Sequence, residues 1–544
     1  KPRKNVTDYF IVLIAHNAKN YDFHCLLRHL PKSYDRTNIS VIPTNSEKFI
    51  SVRIGMLRFI DSFQFLTASL STLVDNLRRS GVENFVHCKR HLGQRFDLIT
   101  QKQIFPYEFV NSLDKLDHPT LPPRESFYSS LTDENVSEED YCHAQTVWQA
   151  FQMKTLKDYQ NLYVMTDVLL LADVFEEFRR MSMSYYNLDP ANFYTTPGLT
   201  YQASLKHSKV SLELFTDIDM LLTIEKGIRG GTSYIGRRES VANNRHLPET
   251  FDVTNPSTYI SMLDCTNLYG FSMSEPLPVG DFKWLSAAEI RRLRIRDLGD
   301  DDEYGYVFVV DLRYPPHLHD KHNCYPLAVE HMLIEDQHLS DVSKDLLRGK
   351  RFKPVRKLVP NLYDKKEYVV HYRNLKFYLE EGLIVERIHS AIRFKQSRWL
   401  ASYISKNTEY RKLAKSAFEK DFFKLLNNSL YGKLMQNLRK KCTVHFVSEV
   451  IAAEKQLCKH TCLRWAKIND TFSAVHQRVS RIYWNRLTLI GMTVLEGSKL
   501  WMYRFHYRHI MPVYATVKAR ECDGWPIYDC HLQLLFTDTD SFCY

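Results

Sequence analysis

Residues 259–270 read Y-I-S-M-L-D-C-T-N-L-Y-G, and residues 534–544 read L-L-F-T-D-T-D-S-F-C-Y. The first is a strand-like apolar run, Tyr259 to Leu263, that ends on Asp264 and is followed five residues later by Tyr269. The second is an apolar strand that enters an acidic turn at Asp538 and Asp540 and returns through Ser541 to Tyr544, a hairpin with carboxylates at its tip. Carboxylates two residues apart repel one another, and a divalent cation relieves that repulsion; a solvated turn is the simpler alternative for either stretch alone.

Between these stretches the spacing predicts a helix over 407–440, containing D-F-F-K-L-L-N-N-S-L-Y-G-K at 421–433. Lys412, Lys420, Lys424, Asn428 and Tyr431 recur at helical intervals and form one stripe, cationic at one end and aromatic at the other. Converging lysines suit a triphosphate and a tyrosine suits a base or sugar, whereas a solvated basic face is the alternative reading.

Upstream, the apolar run Phe10 to Ala15 reads as a buried strand that carries His16, Asn17 and Asp22 to its end, and a second strand is expected near Met56 to Asp61. Residues 114–140, rich in Pro, Ser, Asp and Glu, are expected as an exposed loop, and a helical pattern runs from Tyr141 to Tyr186. Asn17 to Asp22 is N-A-K-N-Y-D, and Tyr163 to Asp167 is Y-V-M-T-D, which puts Tyr163 and Asp167 on one helical face with Leu169, Leu170 and Phe175 opposite. Two carboxylates and a tyrosine could hold metal and orient water for phosphodiester hydrolysis; a cap and a surface pair are the plainer readings.

The 544 residues, 44% hydrophobic and 25% charged, suit two to four domains, and no apolar stretch is long enough to span a bilayer. A net charge of +10 favours a polyanionic partner. The 11 cysteines, odd in number and scattered, suit an intracellular, reducing compartment. Cys442, Cys458, His460 and Cys462 offer only a weak zinc pattern.

In their order along the chain these motifs resemble family B DNA polymerases of the protein-primed branch. Asp264, Leu268 and Tyr269 match the first polymerase motif; Lys424, Asn428, Ser429, Tyr431 and Gly432 match K-x3-N-S-x-Y-G; Asp538 to Ser541 match D-T-D-S. Asn17, Tyr21 and Asp22 match the second exonuclease motif, and Tyr163 and Asp167 the third. The branch includes polymerases of bacteriophages, adenoviruses, linear plasmids and self-synthesising eukaryotic transposons, and residues 163–175, 225–231 and 357–378 look most like the transposon enzymes.

The resemblance implies an α/β multidomain fold: an RNase H-like 3′–5′ exonuclease domain, incomplete, followed by a right-hand polymerase palm and fingers with the thumb missing. It implies an exonuclease-like domain over 1–187, palm over 188–285 and 488–544, fingers over 401–440, and insertions at 286–400 and 441–487 that contact a terminal (priming) protein and encircle the template. The implied function is that of a DNA-directed DNA polymerase, a nucleotidyltransferase acting on primer-template DNA and deoxynucleoside triphosphates with two Mg2+ ions. Asp264 and Asp540 would hold the metal and Asp538 would support them. Lys424, with Lys412 and Lys420, would grip the triphosphate, Tyr269 would lie under the sugar and Tyr431 beside the base pair. Asp22 and Asp167 would be metal ligands of the exonuclease.

The family's opening D-x-E exonuclease motif has no match before Asn17, no K-x-Y motif follows Tyr544, and the chain opens without Met, so a piece of a longer protein is expected. The Tyr-x-Gly-Gly motif stands as Ile228, Arg229, Gly230 and Gly231; the resemblance makes Arg229, Gly230 and Gly231 DNA-binding residues, with the glycines permitting close backbone approach, and Asn267 replaces a common Ser. A 3′–5′ exonuclease and an inactive mobile-element relic that binds nucleic acid are the alternative functions, and a transposon origin would imply a nuclear location.

Overall fold

The computed structural model describes residues 9–30, 38–45, 47–470, 472–522, 525–530 and 532–544, with side chains described outside 515–531. The chain divides into two units: Lys1–His207 with Asn407–Leu430 and Asn437–Tyr483, and Ser208–Lys406 with Tyr431–Gln436 and Trp484–Tyr544.

In the first unit, both expected N-terminal strands form and pair with each other in parallel, Ile11–Ala15 against Leu57–Asp61, but the first lies at the sheet edge and is not buried as expected, with Ile11 58% and Leu13 36% exposed. Phe49–Ile54 and Ile39–Pro43 continue the sheet antiparallel. The helical stretch predicted from Tyr141 to Tyr186 is two helices, Glu138–Ala150 and Leu156–Tyr186. The second starts at a reciprocal Thr155/Asp158 capping box, which satisfies backbone donors that helix interruption leaves free, and stops at Asn187 in the left-handed region.

The 407–440 helix is also two, Ala401–Leu413 and Ala417–Leu434, followed by a short 3-10 turn at Leu438–Lys440. Ser416 accepts the Glu419 N–H at 3.1 Å, and the Glu419 carboxylate accepts the Lys415 N–H at 3.1 Å. This S-x-x-E signature restarts the helix and leaves Lys412 on the preceding one. Residues 442–478 supply a three-stranded sheet with Phe472–Arg478 at its centre. Its Phe472 is buried among Phe23, Leu27, Ile39 and Phe49, so this expected insertion shares a core with the N-terminal sheet.

The second unit holds two four-stranded antiparallel sheets. One runs Ser233–Ile235, Phe536–Asp538, Ser541–Cys543, Met262–Asp264. The other runs Lys365–His371, Tyr304–Arg313, Ile384–Ser397, Leu277–Trp284. Three of these last strands lie in the expected 286–400 insertion, yet one of them, Ile384–Ser397, pairs with Leu277–Trp284 from the stretch before it, which joins the insertion to that stretch in one sheet. The helix Thr488–Arg504 is buried on nearly every side, and Tyr503 joins Phe308, Tyr325, Tyr378 and Phe542 in one core. Among the described residues no helix is long and apolar enough to cross a membrane.

Candidate active site

The acidic hairpin and the first polymerase motif meet as adjacent strands. Asp538 pairs with Ser541 across the hairpin, and Ser541 pairs with Asp264 on the next strand. The Cys265 N–H donates to the Asp540 carbonyl at 2.9 Å, which ties the turn to that motif. At the tip, the Asp540 N–H donates to the Asp538 carbonyl at 2.6 Å around Thr539, whose φ is +58°. An i to i+2 bond around a β-branched residue at positive φ is a strained turn, so its surroundings must hold it.

They do so from the Ser233–Ile235 side. The Thr539 N–H donates to the Thr232 carbonyl at 3.0 Å, and the Ser233 hydroxyl donates to Asp538 Oδ1 at 2.5 Å. Gly231 lies against the Thr539 side chain: a Cβ there would stand 2.8 Å from Thr539 Oγ1 and 2.9 Å from its Cβ. The close approach at Gly231 is to the acidic turn, whereas Gly230 has open space around it.

Arg229 departs from expectation. Its side chain is buried, 5% exposed, and donates to the Val369 carbonyl at 2.7 Å while lying 3.8 Å over the Tyr368 ring. A guanidinium used up in this way is a core element closed off from solvent, not the exposed cation that a DNA contact requires. Beneath it the buried Lys499 ammonium donates to the Arg229 carbonyl at 2.8 Å and pairs with the buried Glu496 at 2.9 Å. Burial holds the Lys499 proton affinity below its ordinary value, with Glu496 opposing.

Asn267 caps the helix Leu268–Met273 from the left-handed region, φ +62°, and accepts the Gly270 N–H at 3.1 Å. Asn is the non-glycine residue best suited to that conformation, which explains its presence. The cap carries Tyr269 into a stack with Tyr431, ring centroids 4.5 Å apart and planes 21° apart. Burial raises the proton affinity of both phenols, and for Tyr269 the Asp540 charge adds to this. Both therefore stay neutral near pH 7.

Burial first, then the charges of Asp264 and Asp538, raise the Asp540 pKa. Hard carboxylate oxygens under mutual repulsion fit a divalent cation, and Mg2+ commonly takes only one or two carboxylates plus substrate phosphates. Among the described residues no group of three or more His, Cys, Asp or Glu side chains could hold a metal, Cys442, Cys458, His460 and Cys462 included.

In the first unit, Lys420, Lys424 and Asn428 are exposed along one side of Ala417–Leu434, while Phe418, Phe422 and Leu426 are buried on the other. Lys424 and Asn428 line a cavity of about 280 Å3 with Leu66, Thr72, Leu73 and Phe422. Of the exonuclease-like residues, Asn17 has φ +62° and accepts from Asn20 at 2.6 Å, Tyr21 is 75% exposed, and Asp22 begins the helix Asp22–Arg28. Tyr163 is hydrogen-bonded to Tyr107 at 2.6 Å, and Asp167 lies 3.9 Å from Lys102. Asp167 Oδ1 is buried without a hydrogen-bond partner, and burial raises its pKa. Among the described residues no hydrogen bond or ion pair joins Asp22 to Asp167.

Sequence reasoning missed Lys102, which sits in an aperiodic loop. It also missed Asp61, fully buried and accepting the Lys19 and Phe63 N–H groups at 3.1 and 2.9 Å, whose only signal was an acid closing a strand.

Comparison with known proteins agrees with this architecture. A DNA polymerase of Kluyveromyces lactis is 23% identical over 447 residues, covering 78% of this chain and 37% of that protein, so the chain spans under two fifths of that relative's length. The orthorhombic crystal form of Phi29 DNA polymerase is similar in fold with a TM-score of 0.50 at 11% identity, covering 98% of this chain and 71% of that one. Residues 3–471 match the family described as DNA polymerase type B, organellar and viral. The chain therefore belongs to the organellar and viral type B DNA polymerases.

Proposed function

We propose that this chain acts in template-dependent DNA synthesis, adding deoxynucleotides to a primer 3′-hydroxyl, in the protein-primed manner. The observation that carries the reading is the pairing of Asp264 with Ser541 and the bond from the Cys265 N–H to the Asp540 carbonyl, which set Asp264 and Asp540 beside one another, with the Tyr269–Tyr431 stack next to them. Asp264 and Asp540 are the residues to hold Mg2+, expected as two ions, which would activate the 3′-hydroxyl and neutralise the triphosphate. Asp538, fixed by Ser233, supports the turn. Tyr269, stacked and neutral, presents a flat wall that suits a deoxyribose and opposes a 2′-hydroxyl. Lys420 and Lys424, exposed at helical spacing, are the cations for the triphosphate, with Lys412 on the preceding helix as an accessory.

Primer-template DNA, deoxynucleoside triphosphates and a terminal protein are the partners this reading requires. Its test is nucleotide retention on a dideoxy-terminated primer-template in Mg2+. The templated nucleotide should be held more tightly than the other three by the wild-type chain and not by Asp264→Ala. Equal retention of all four would defeat the reading.

A further inference from the structure

The helix Leu156–Tyr186 ends in two adjacent tyrosines that hold the helix Ala417–Leu434 at two points. The Tyr185 hydroxyl donates to Glu419 Oε1 at 2.6 Å, and the other oxygen of that carboxylate accepts the Lys415 N–H at the start of the helix. The Tyr186 hydroxyl donates to Asn407 Oδ1, and the Asn407 amide donates in turn to Asn427 Oδ1 at 2.8 Å. Asn407 is 0% and Asn427 4% exposed, so this relay lies inside the protein.

Each attachment falls on the residue just before a member of the exposed stripe: Glu419 precedes Lys420, and Asn427 precedes Asn428. From Glu419 to Asn427 is about 12 Å along the helix axis and about 80° around it, so the two attachments together resist both tilt and roll. Rings fill the space between. Tyr185 lies 4.9 Å, centroid to centroid, from both Phe423 and Tyr410, and Phe178 meets Phe422 at 5.5 Å. Ring contacts are satisfied over a range of geometries, whereas a hydrogen bond to a carboxylate specifies length and direction.

Such a tether has a purpose because the helix has a break behind it. Residues 414–416 separate it from Ala401–Leu413, so its first turn takes no direction from a continuous helix. Lysine side chains are long and flexible, and cations that converge on a triphosphate act together only while the backbone beneath them keeps its place. Burial, then the bond to Glu419, raises the Tyr185 pKa, which keeps the phenol a donor near neutral pH.

We propose that Tyr185 and Tyr186 are positioning residues for nucleotide capture: through Glu419 and the Asn407–Asn427 relay they set where Lys420, Lys424 and Asn428 stand. The role rests on the synthetic function above. It gives the last turn of the helix that carries Tyr163 and Asp167 a part in synthesis, separate from hydrolysis.

The test is retention of the templated deoxynucleotide on a dideoxy-terminated primer-template in Mg2+, with primer-template affinity measured alongside by fluorescence anisotropy, on the full chain. Tyr185→Phe keeps the rings and removes the hydroxyl; it should weaken nucleotide retention about tenfold, as loss of one bond to a charged group does, and leave primer-template affinity within about twofold. Glu419→Ala should weaken retention at least as much, and adding Tyr185→Phe to it should cost nothing further, because the two residues share one bond. Glu419→Gln should stay near wild type, since its amide reaches both the Lys415 N–H and the Tyr185 hydroxyl. Tyr186→Phe removes the donor to a buried Asn407 and should lower both retention and the melting temperature.

Unchanged retention in Tyr185→Phe overturns the positioning role and leaves the synthetic function standing. Nucleotide and primer-template affinities that fall in equal proportion overturn it too, since the tyrosine then only supports the fold. A wild-type chain that holds all four nucleotides equally removes the functional reading and the positioning role together.

Discussion

Gly231 and Thr539 touch across 308 positions of sequence: a Cβ on Gly231 would come within 2.8 Å of Thr539 Oγ1, inside van der Waals contact. Thr539 is the strained residue between Asp538 and Asp540, so the glycine sets where both carboxylates stand. Gly231→Ala is expected to cost about 1 to 3 kcal/mol of stability by overpacking. It should lower kcat on the order of a hundredfold, because a shift near 1 Å misplaces the reacting groups. Thr539→Gly in the same chain should restore much of kcat, since it removes both the clash and the strained φ. Steady-state incorporation on the single and double variants checks this; an active Gly231→Ala enzyme would contradict it.

Lys499, paired with Glu496 in the core, holds the Arg229 carbonyl two residues before Gly231. Lys499→Met leaves the Glu496 charge buried and unpaired, and unfolding in urea should show a loss of about 3 to 5 kcal/mol. Lys499→Met with Glu496→Gln should recover most of that stability. Recovery of stability without recovery of kcat would mean that the hydrogen bond to the Arg229 carbonyl, and not the charge balance, positions the turn.

Two buried histidines make stability depend on pH. Burial lowers His506 to about 4 and His322 to about 3. His506 bonds Tyr544 at 2.8 Å and His322 bonds Tyr314 at 2.8 Å. Both folded values lie below the unfolded value of 6.5, so the unfolded chain binds more protons as pH falls. Stability is therefore complete above about pH 6.5 and declines from there down to the folded values. Between pH 7 and 5 these two groups should remove about 2 kcal/mol each. Urea midpoints at the two pH values measure the loss, and His506→Gln should reduce it.

The Tyr269–Tyr431 stack should contribute about 0.5 to 1.5 kcal/mol beyond area burial. Tyr269→Phe keeps the stack and should leave KM for deoxynucleotides nearly unchanged. Tyr269→Ala should raise KM several-fold and admit ribonucleotides more readily, which incorporation of the two sugar types in competition would reveal.

Local chemistry was legible before the structure. Asp264 closing an apolar run, Asp538 and Asp540 in a turn, and Lys420, Lys424 and Asn428 at helical spacing all emerge where the pattern places them, because strand ends and helix faces depend on near neighbours. Strand register across the chain was not legible. Nothing in residues 228–231 says that Thr232 will pair beside Thr539, or that Lys499 will reach the Arg229 carbonyl, since these contacts join segments hundreds of residues apart. Arg229 reads as a DNA contact from its place in the Ile228–Gly231 motif; its burial over Tyr368 depends on a strand more than a hundred residues away. The helix break at 414–416 was readable in Ser416 and Glu419, but the stripe of Lys412, Lys420 and Lys424 at helical spacing across it masked the cap.

The central claim is that Asp264 and Asp540 form one charged site that tolerates its own repulsion for the sake of catalysis. Burial and the neighbouring carboxylates raise the Asp540 pKa, so Asp540→Asn removes an unfavourable charge from the metal-free protein. The measurement is Mg2+-dependent incorporation of labelled deoxynucleotides on a primed template by wild type and Asp540→Asn, with thermal unfolding of both in the absence of metal. The account predicts an Asp540→Asn protein that melts higher than wild type and incorporates nothing. An Asp540→Asn protein that still extends the primer, or a wild-type chain that extends none while binding the same DNA, would contradict it.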